Sequence, residues 1–290
     1  MAHAQQPGYY VPHDTHGWPI VGSVGLTLAL GGAAVWFNGG GAGPMLFALG
    51  LLVILVMLFG WFGQVIKENL AGLYNEQVDR SFRWAMGWFI ASEVMFFAAF
   101  FGALYYARVY ALPWLGGEGA GGWTHELLWP DFEAHWPSNG PARLGGEFTP
   151  MGAWGIPALN TAILLTSGVT ITWAHHALKA GRRGGLVLGL LATVLLGATF
   201  VGLQAYEYIH AYHELNLRLD TGIYGSTFFM LTGFHGFHVT MGVVMLTVIL
   251  LRALKGHFTP ERHFAFEAVA WYWHFVDVVW LGLFVFVYWL

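Results

Sequence analysis

The chain has 290 residues, 57% of them hydrophobic and only 10% charged, with a formal net charge of −4. Soluble domains carry roughly a quarter charged residues, so twelve Lys plus Arg cannot keep this chain in water, and its solvent is a bilayer. The absence of Cys excludes disulfides, iron–sulfur clusters and thiolate metal sites, leaving His and carboxylates to hold any metal.

The N-terminal stretch "MAHAQQPGYYVPHDTHGW" has no Lys or Arg and no apolar run before Trp18, so it lacks the two regions of a removed signal. It reads as an inner-side tail over 1–17, and the first apolar run acts as its own uncleaved signal. Runs over 18–37 and 44–66 each reach the roughly 20 helical residues that cross a hydrocarbon core. A polar inner connection over 67–83 follows, and a third run covers 84–107. The outer segment 112–152 is rich in Gly, Pro and Trp and carries Glu118, Glu126, Asp131, Glu133 and Glu147; an ordered acidic cap and a docking surface are equal readings. Runs over 153–178, 186–209, 224–251 and 264–290 complete seven spans. They are continuous rather than alternating segments of about ten residues, which predicts helices and not a barrel. Gly185 and Gly189 have the GxxxG spacing that lets helices approach closely, and no internal repeat supports an inverted-repeat transporter.

Positive charge sets the orientation. With the N-terminus inside, the inner side holds Lys67, Arg80, Arg83, Lys179, Arg182, Arg183, Arg252, Lys255 and Arg262. The outer side holds Arg108, Arg143 and Arg218, so 9 inner and 3 outer cations account for all 12. Cations favour the inner side of short loops, which puts the C-terminus outside.

Polar groups recur near mid-span. Glu93 is the one ionisable residue of "ASEVMFFAAFF" in the third run, "GFHGFHV" in the sixth supplies His235 and His238, and "FEAVAWYWHFVDVVW" supplies His274 and Asp277, with Glu267 earlier in the same run as a further member of the intramembrane polar set. Glu267, Trp271 and His274 are spaced to share one helix face, with Asp277 at its edge. Charged groups at that depth are costly and turn toward partners. Three readings stay open on spacing alone: an interhelical hydrogen-bond network that fixes packing, a proton relay or transport site, and ligation of haem iron by paired His.

The wording of the sequence is more specific than its spacing. "YGSTFFMLTGFHGFHVTMG" with "FEAVAWYWHFVDVVWL" resembles subunit III of cytochrome c oxidase, in the haem–copper terminal oxidase superfamily, and so do "SEVMFFAAFF", "FRWAMGWFI" and "WPIVGS". The resemblance covers nearly the whole chain apart from the tail and the 112–152 loop. It implies an all-α membrane protein with seven transmembrane helices, in which a two-helix bundle and a five-helix bundle, here 18–66 and 84–290, form a V-shaped cleft filled with phospholipid. It implies an accessory subunit with no haem, copper or other metal of its own, so the histidines return to the structural reading. Subunits I and II would hold the haem and copper, and seven helices point to cytochrome c as the electron donor. The subunit would stabilise subunit I, hold structural phospholipid and support proton uptake and oxygen entry. An independent seven-helix proton or solute transporter is the alternative. Nucleic acid is not an expected partner.

By the same resemblance Glu93 matches a carboxyl facing the lipid cleft, where the neutral acid is the cheaper form. Arg252, Lys255 and His257 in "LLRALKGHF", with Arg83 before the third run, match positions that hold lipid headgroups. Trp61 and Phe62 match aromatic contacts to acyl chains. Lys255 reads equally as an ordinary inner-side cation, and the aromatics as interfacial belt residues. One departure is plain: where many members carry Gly-x-His-Thr, "GLYNEQVDRSFRW" has Tyr74, Asn75 and Glu76, so no role of that His transfers. Glu76 and Asp79 could still attract protons near the catalytic subunit. The acidic, glycine-rich outer loop and the lack of an import presequence lead to the expectation of a bacterial inner membrane.

Overall fold

The structure, a computed structural model, describes residues 17–290; most of the expected N-terminal tail lies outside them. The described residues form helices and connecting turns without a strand. In chain order these are α1 (Trp18–Phe37), α2 (Gly43–Leu70), α3 (Glu76–Tyr106), the short α4 (Leu112–Leu115) and α5 (Gly122–Leu128), then α6 (Ile156–Lys179), α7 (Arg183–Glu214), α8 (Gly222–Leu254) and α9 (Phe264–Leu283). A π-helical turn, Ala107–Ala111, joins α3 to α4, and a second, Phe284–Trp289, ends the chain. Seven of these helices are long and apolar enough to cross a membrane, which makes the protein multi-pass.

Local chemistry marks the boundaries. Pro stands in the first turn of α1, α2, α4 and α6, where its missing N–H costs nothing. Glycines at positive φ close α2, α6 and α8: Gly72 at +73°, Gly181 at +67° and Gly256 at +74°. The polar connection expected over 67–83 narrows to 71–75, because α2 runs on to Leu70 and α3 starts at Glu76. The reason is a cap. The Asn75 side chain accepts from Val78 N at 3.0 Å, and Glu76 and Asp79 place negative charge in the first turn.

The described residues divide into two compact units, one ending at Trp84 and the other covering 85–290. In the first, α1 and α2 pack closely enough that a Cβ on Gly50 would lie 2.2 Å from Ala29 N. In the second, α6 to α9 pack around Trp273, which is fully buried and donates from Nε1 to Ser167 Oγ at 2.8 Å. Gly185 and Gly189 do serve a helix contact: a Cβ on either would press on Ala177 or Ala174 of α6, at 2.9 and 2.8 Å.

Candidate functional site

In the larger unit the chain at and beside the α6–α7 and α8–α9 turns, 179–183 and 252–262, carries six of the nine Lys and Arg. Arg252, in the last turn of α8, is only 8% exposed. Its guanidinium lies 4.7 Å from the Phe258 ring centroid, and its Nε and Nη2 have no hydrogen-bond partner among the described residues. The turn through Gly256 brings His257 N to donate to the Arg252 carbonyl at 3.1 Å. His257 Nδ1 is likewise buried without a partner, and burial, then the charges of Arg252 and Lys255, hold its imidazole below the ordinary value. Lys255 is exposed at the end of α8. Arg183, which sequence reasoning did not select, donates from Nη2 to the Leu254 carbonyl and brings a further cation to this turn. Unpaired donors on a buried cation are expensive, and an anion with several acceptor oxygens would satisfy them.

The candidates in the smaller unit are differently engaged. Arg83 donates from Nε to Asp79 Oδ2 at 2.7 Å one turn back, so part of its guanidinium is already used. Trp61 and Phe62 are 42% and 63% exposed and present apolar surface away from the helix pair. Beside them Trp18 packs over Gly60 and donates from Nε1 to Gln64 Oε1 at 2.9 Å.

The mid-span groups do not form one network; they sort into separate pairs. Glu93 Oε2 lies 2.8 Å from His238 Nε2. The other ring nitrogen, Nδ1, is 2.6 Å from the Phe234 carbonyl, and a carbonyl can only accept, so Nδ1 carries a proton. A second proton must therefore lie between Nε2 and the carboxyl, and Glu93 is not the solitary acid that its apolar run suggests. His235 is fully buried against Phe200 and Trp280, and Nε2 donates to the Val276 carbonyl at 3.1 Å. His274 and Asp277 stand 3.8 Å apart, beside Gly168, where a Cβ would come within 2.6 Å of the carboxylate. Glu267 belongs elsewhere: its Oε1 meets His263 Nε2 at 3.1 Å and His175 Nε2 at 3.5 Å.

A further buried acid escaped the sequence reading. Glu207 in α7 is 1% exposed and accepts from the Tyr288 hydroxyl at 2.6 Å, with Gln204 at 3.5 Å. In the sequence it stands within "AYEYIHAYHE", where polar residues crowd toward the helix end and no single carboxylate stands out. His175 and His263 were missed for another reason: only the fold brings α6 beside the start of α9.

These contacts are those of a packed helical bundle with a buried, partly unpartnered guanidinium at one end. A family model described as "Cytochrome c oxidase subunit III" matches residues 9–290. The curated protein "Cytochrome c oxidase subunit 3" of Cyprinus carpio is 42% identical over 290 residues, 100% of this chain and 99% of that one. The proteins of the same name from Equus asinus and Dugong dugon are 41% and 42% identical over 286 residues, 96% of this chain and 98% of each of them. With a family model over nearly its whole length and full-length relatives at this identity, the chain belongs to the cytochrome c oxidase subunit III family.

Proposed function

We propose that this subunit III acts as the non-redox accessory subunit of a proton-pumping oxidase, stabilising subunit I and holding structural phospholipid through its basic turns. Haem and copper would reside in subunits I and II, with cytochrome c as the donor; proton uptake and oxygen entry would be supported and not catalysed by this chain. The observation that supports the lipid role is Arg252, a buried guanidinium with two unpartnered nitrogens, backed by Phe258 and neighboured by His257 and Lys255. A phosphate diester offers the acceptor oxygens that this arrangement lacks. Within the smaller unit Arg83, Trp61 and Phe62 are assigned lipid contacts of their own, Arg83 with less weight because Asp79 already engages it. The named relatives come from fish and mammals, which favours the mitochondrial inner membrane over the bacterial inner membrane expected from the outer loop.

The test compares Arg252→Ala and Arg83→Ala with the parent in the whole oxidase. Each charge-assisted contact contributes about 1.5–3 kcal/mol before competing hydration. Arg252→Ala is expected to lower retained phospholipid, measured by mass spectrometry, and to shorten the lifetime during turnover with little change in initial rate; Arg83→Ala should do so more weakly. Unchanged lipid and lifetime in Arg252→Ala would sink the reading. Solute flux by the chain alone in vesicles would instead favour a transporter.

A further inference from the structure

The basic turns contain a second constellation with a different chemistry. His263 caps the start of α9, Glu267 follows one turn later on the same face, and His175 comes from the last turns of α6. Their reactive atoms converge: His263 Nε2 to Glu267 Oε1 is 3.1 Å, His175 Nε2 to His263 Nε2 is 3.4 Å, and His175 Nε2 to Glu267 Oε1 is 3.5 Å. The group is mostly buried, with side chains 25%, 9% and 12% exposed for His175, His263 and Glu267.

Two imidazole nitrogens and a carboxylate oxygen turned toward one another hold few protons between them. His263 Nδ1 lies 3.1 Å from the Thr259 carbonyl, so Nδ1 is the protonated nitrogen and Nε2 of the neutral ring is a bare lone pair. That lone pair faces a carboxylate oxygen, a pure acceptor, and a second imidazole nitrogen. A carbonyl that fixes the tautomer and turns the free nitrogen inward is also the usual support of a metal-ligating histidine. We propose that His175, His263 and Glu267 bind a redox-inactive divalent cation of the zinc class, with a fourth position open to water. Edge lengths select the geometry. Tetrahedral bonds of about 2.05 Å imply ligand separations of about 3.3–3.4 Å, whereas octahedral bonds of the same length imply about 2.9 Å. The three observed separations bracket the tetrahedral value. Two imidazoles and one carboxylate also suit zinc and not the all-oxygen shells of magnesium or calcium. This site lies on residues separate from the lipid reading, which makes no use of His175, His263 or Glu267, and it revises the sequence expectation of a chain without metal.

The experiment uses the purified oxidase, treated with a chelator and then given Zn2+ alone. Metal content and affinity are read after gel filtration, and absorption at the zinc edge reads the ligand shell. The expected result is one added zinc per complex in a four-coordinate shell containing two imidazoles. His175→Ala and Glu267→Gln are expected to lower affinity by about 100-fold or more, at or beyond the cost of losing a supporting group. If a variant fails to assemble, the parent's own shell still decides. No added zinc, an oxygen-only shell, or unchanged affinity in assembled variants would overturn the site in favour of a proton shared among the three side chains.

Discussion

Glu93 and His238 illustrate how one proton decides a residue's sensitivity to change. Because Nδ1 of His238 donates to Phe234, Nε2 needs a donor from Glu93 or must itself be protonated against a carboxylate. A glutamine supplies an N–H at the same place, so Glu93→Gln should preserve both stability and turnover. Glu93→Leu should cost about 1–3 kcal/mol, because it leaves a buried imidazole nitrogen unsatisfied. Thermal unfolding of the assembled oxidase reads the first, and turnover reads the second. A fall in turnover of about a hundredfold in Glu93→Gln, as a direct acid–base role would give, would contradict the accessory reading. His257 gives a pH test at the same scale. Its folded value lies below the free one, so the native state binds fewer protons in that window and loses stability as pH falls through it. An anionic headgroup beside it would favour the imidazolium and offset the loss. Lipid-stripped protein should therefore lose more melting temperature than lipid-replete protein between about pH 7 and about pH 5.5, and His257→Gln should remove the difference.

At the scale of elements, small residues set how closely the helices meet. Within α8 a Cβ at Gly242 would lie 2.8 Å from the Trp273 ring, whereas Gly236 has nothing within 4 Å. Gly242→Val should destabilise by about 1–3 kcal/mol, the usual cost of overpacking a core, and Gly236→Val should stay within about 0.5 kcal/mol. Equal losses at both positions would mean that helix propensity, not packing, governs α8. Nothing in the sequence shows which of the two glycines meets the indole, since the helix rotation that turns Gly242 toward Trp273 is set by the fold. The seven runs themselves were legible because a bilayer demands length and continuity. Their ends were less so: "EQVDRSF" reads as a polar connection, yet Asn75 caps it into α3 and its charges suit a helix start. Pairings within a helix, such as His274 with Asp277, follow from spacing. Pairings between helices, such as Glu267 with His175 or Glu207 with Tyr288, depend on rotation and depth that no single run encodes.

For the whole molecule the remaining question is which side each loop faces. In the larger unit the turns around 179–183 and 252–262 carry Lys179, Arg182, Arg183, Arg252, Lys255 and Arg262, and the opposite ends carry Arg108, Arg143 and Arg218. That asymmetry, two to one in this unit and 9 to 3 over the whole chain, argues that the turns around 179–183 and 252–262 stay on the side from which the chain was inserted. Both proposed sites, the Arg252 cluster and the His175, His263 and Glu267 group, would then face the inner compartment, where the first could take an inner-leaflet headgroup and the second the inner pool of divalent ions. The chain offers a clean measurement because it has no Cys. Glu261→Cys places a thiol on the exposed turn before α9, and Glu133→Cys places one on the exposed segment after α5; each removes one acidic charge, so the charge change is matched. In sealed right-side-out vesicles a membrane-impermeant maleimide should label Glu133→Cys at once and Glu261→Cys only after permeabilisation. The reverse pattern would invert the protein, move both sites to the outer face, and separate the lipid cluster from the leaflet proposed to supply it.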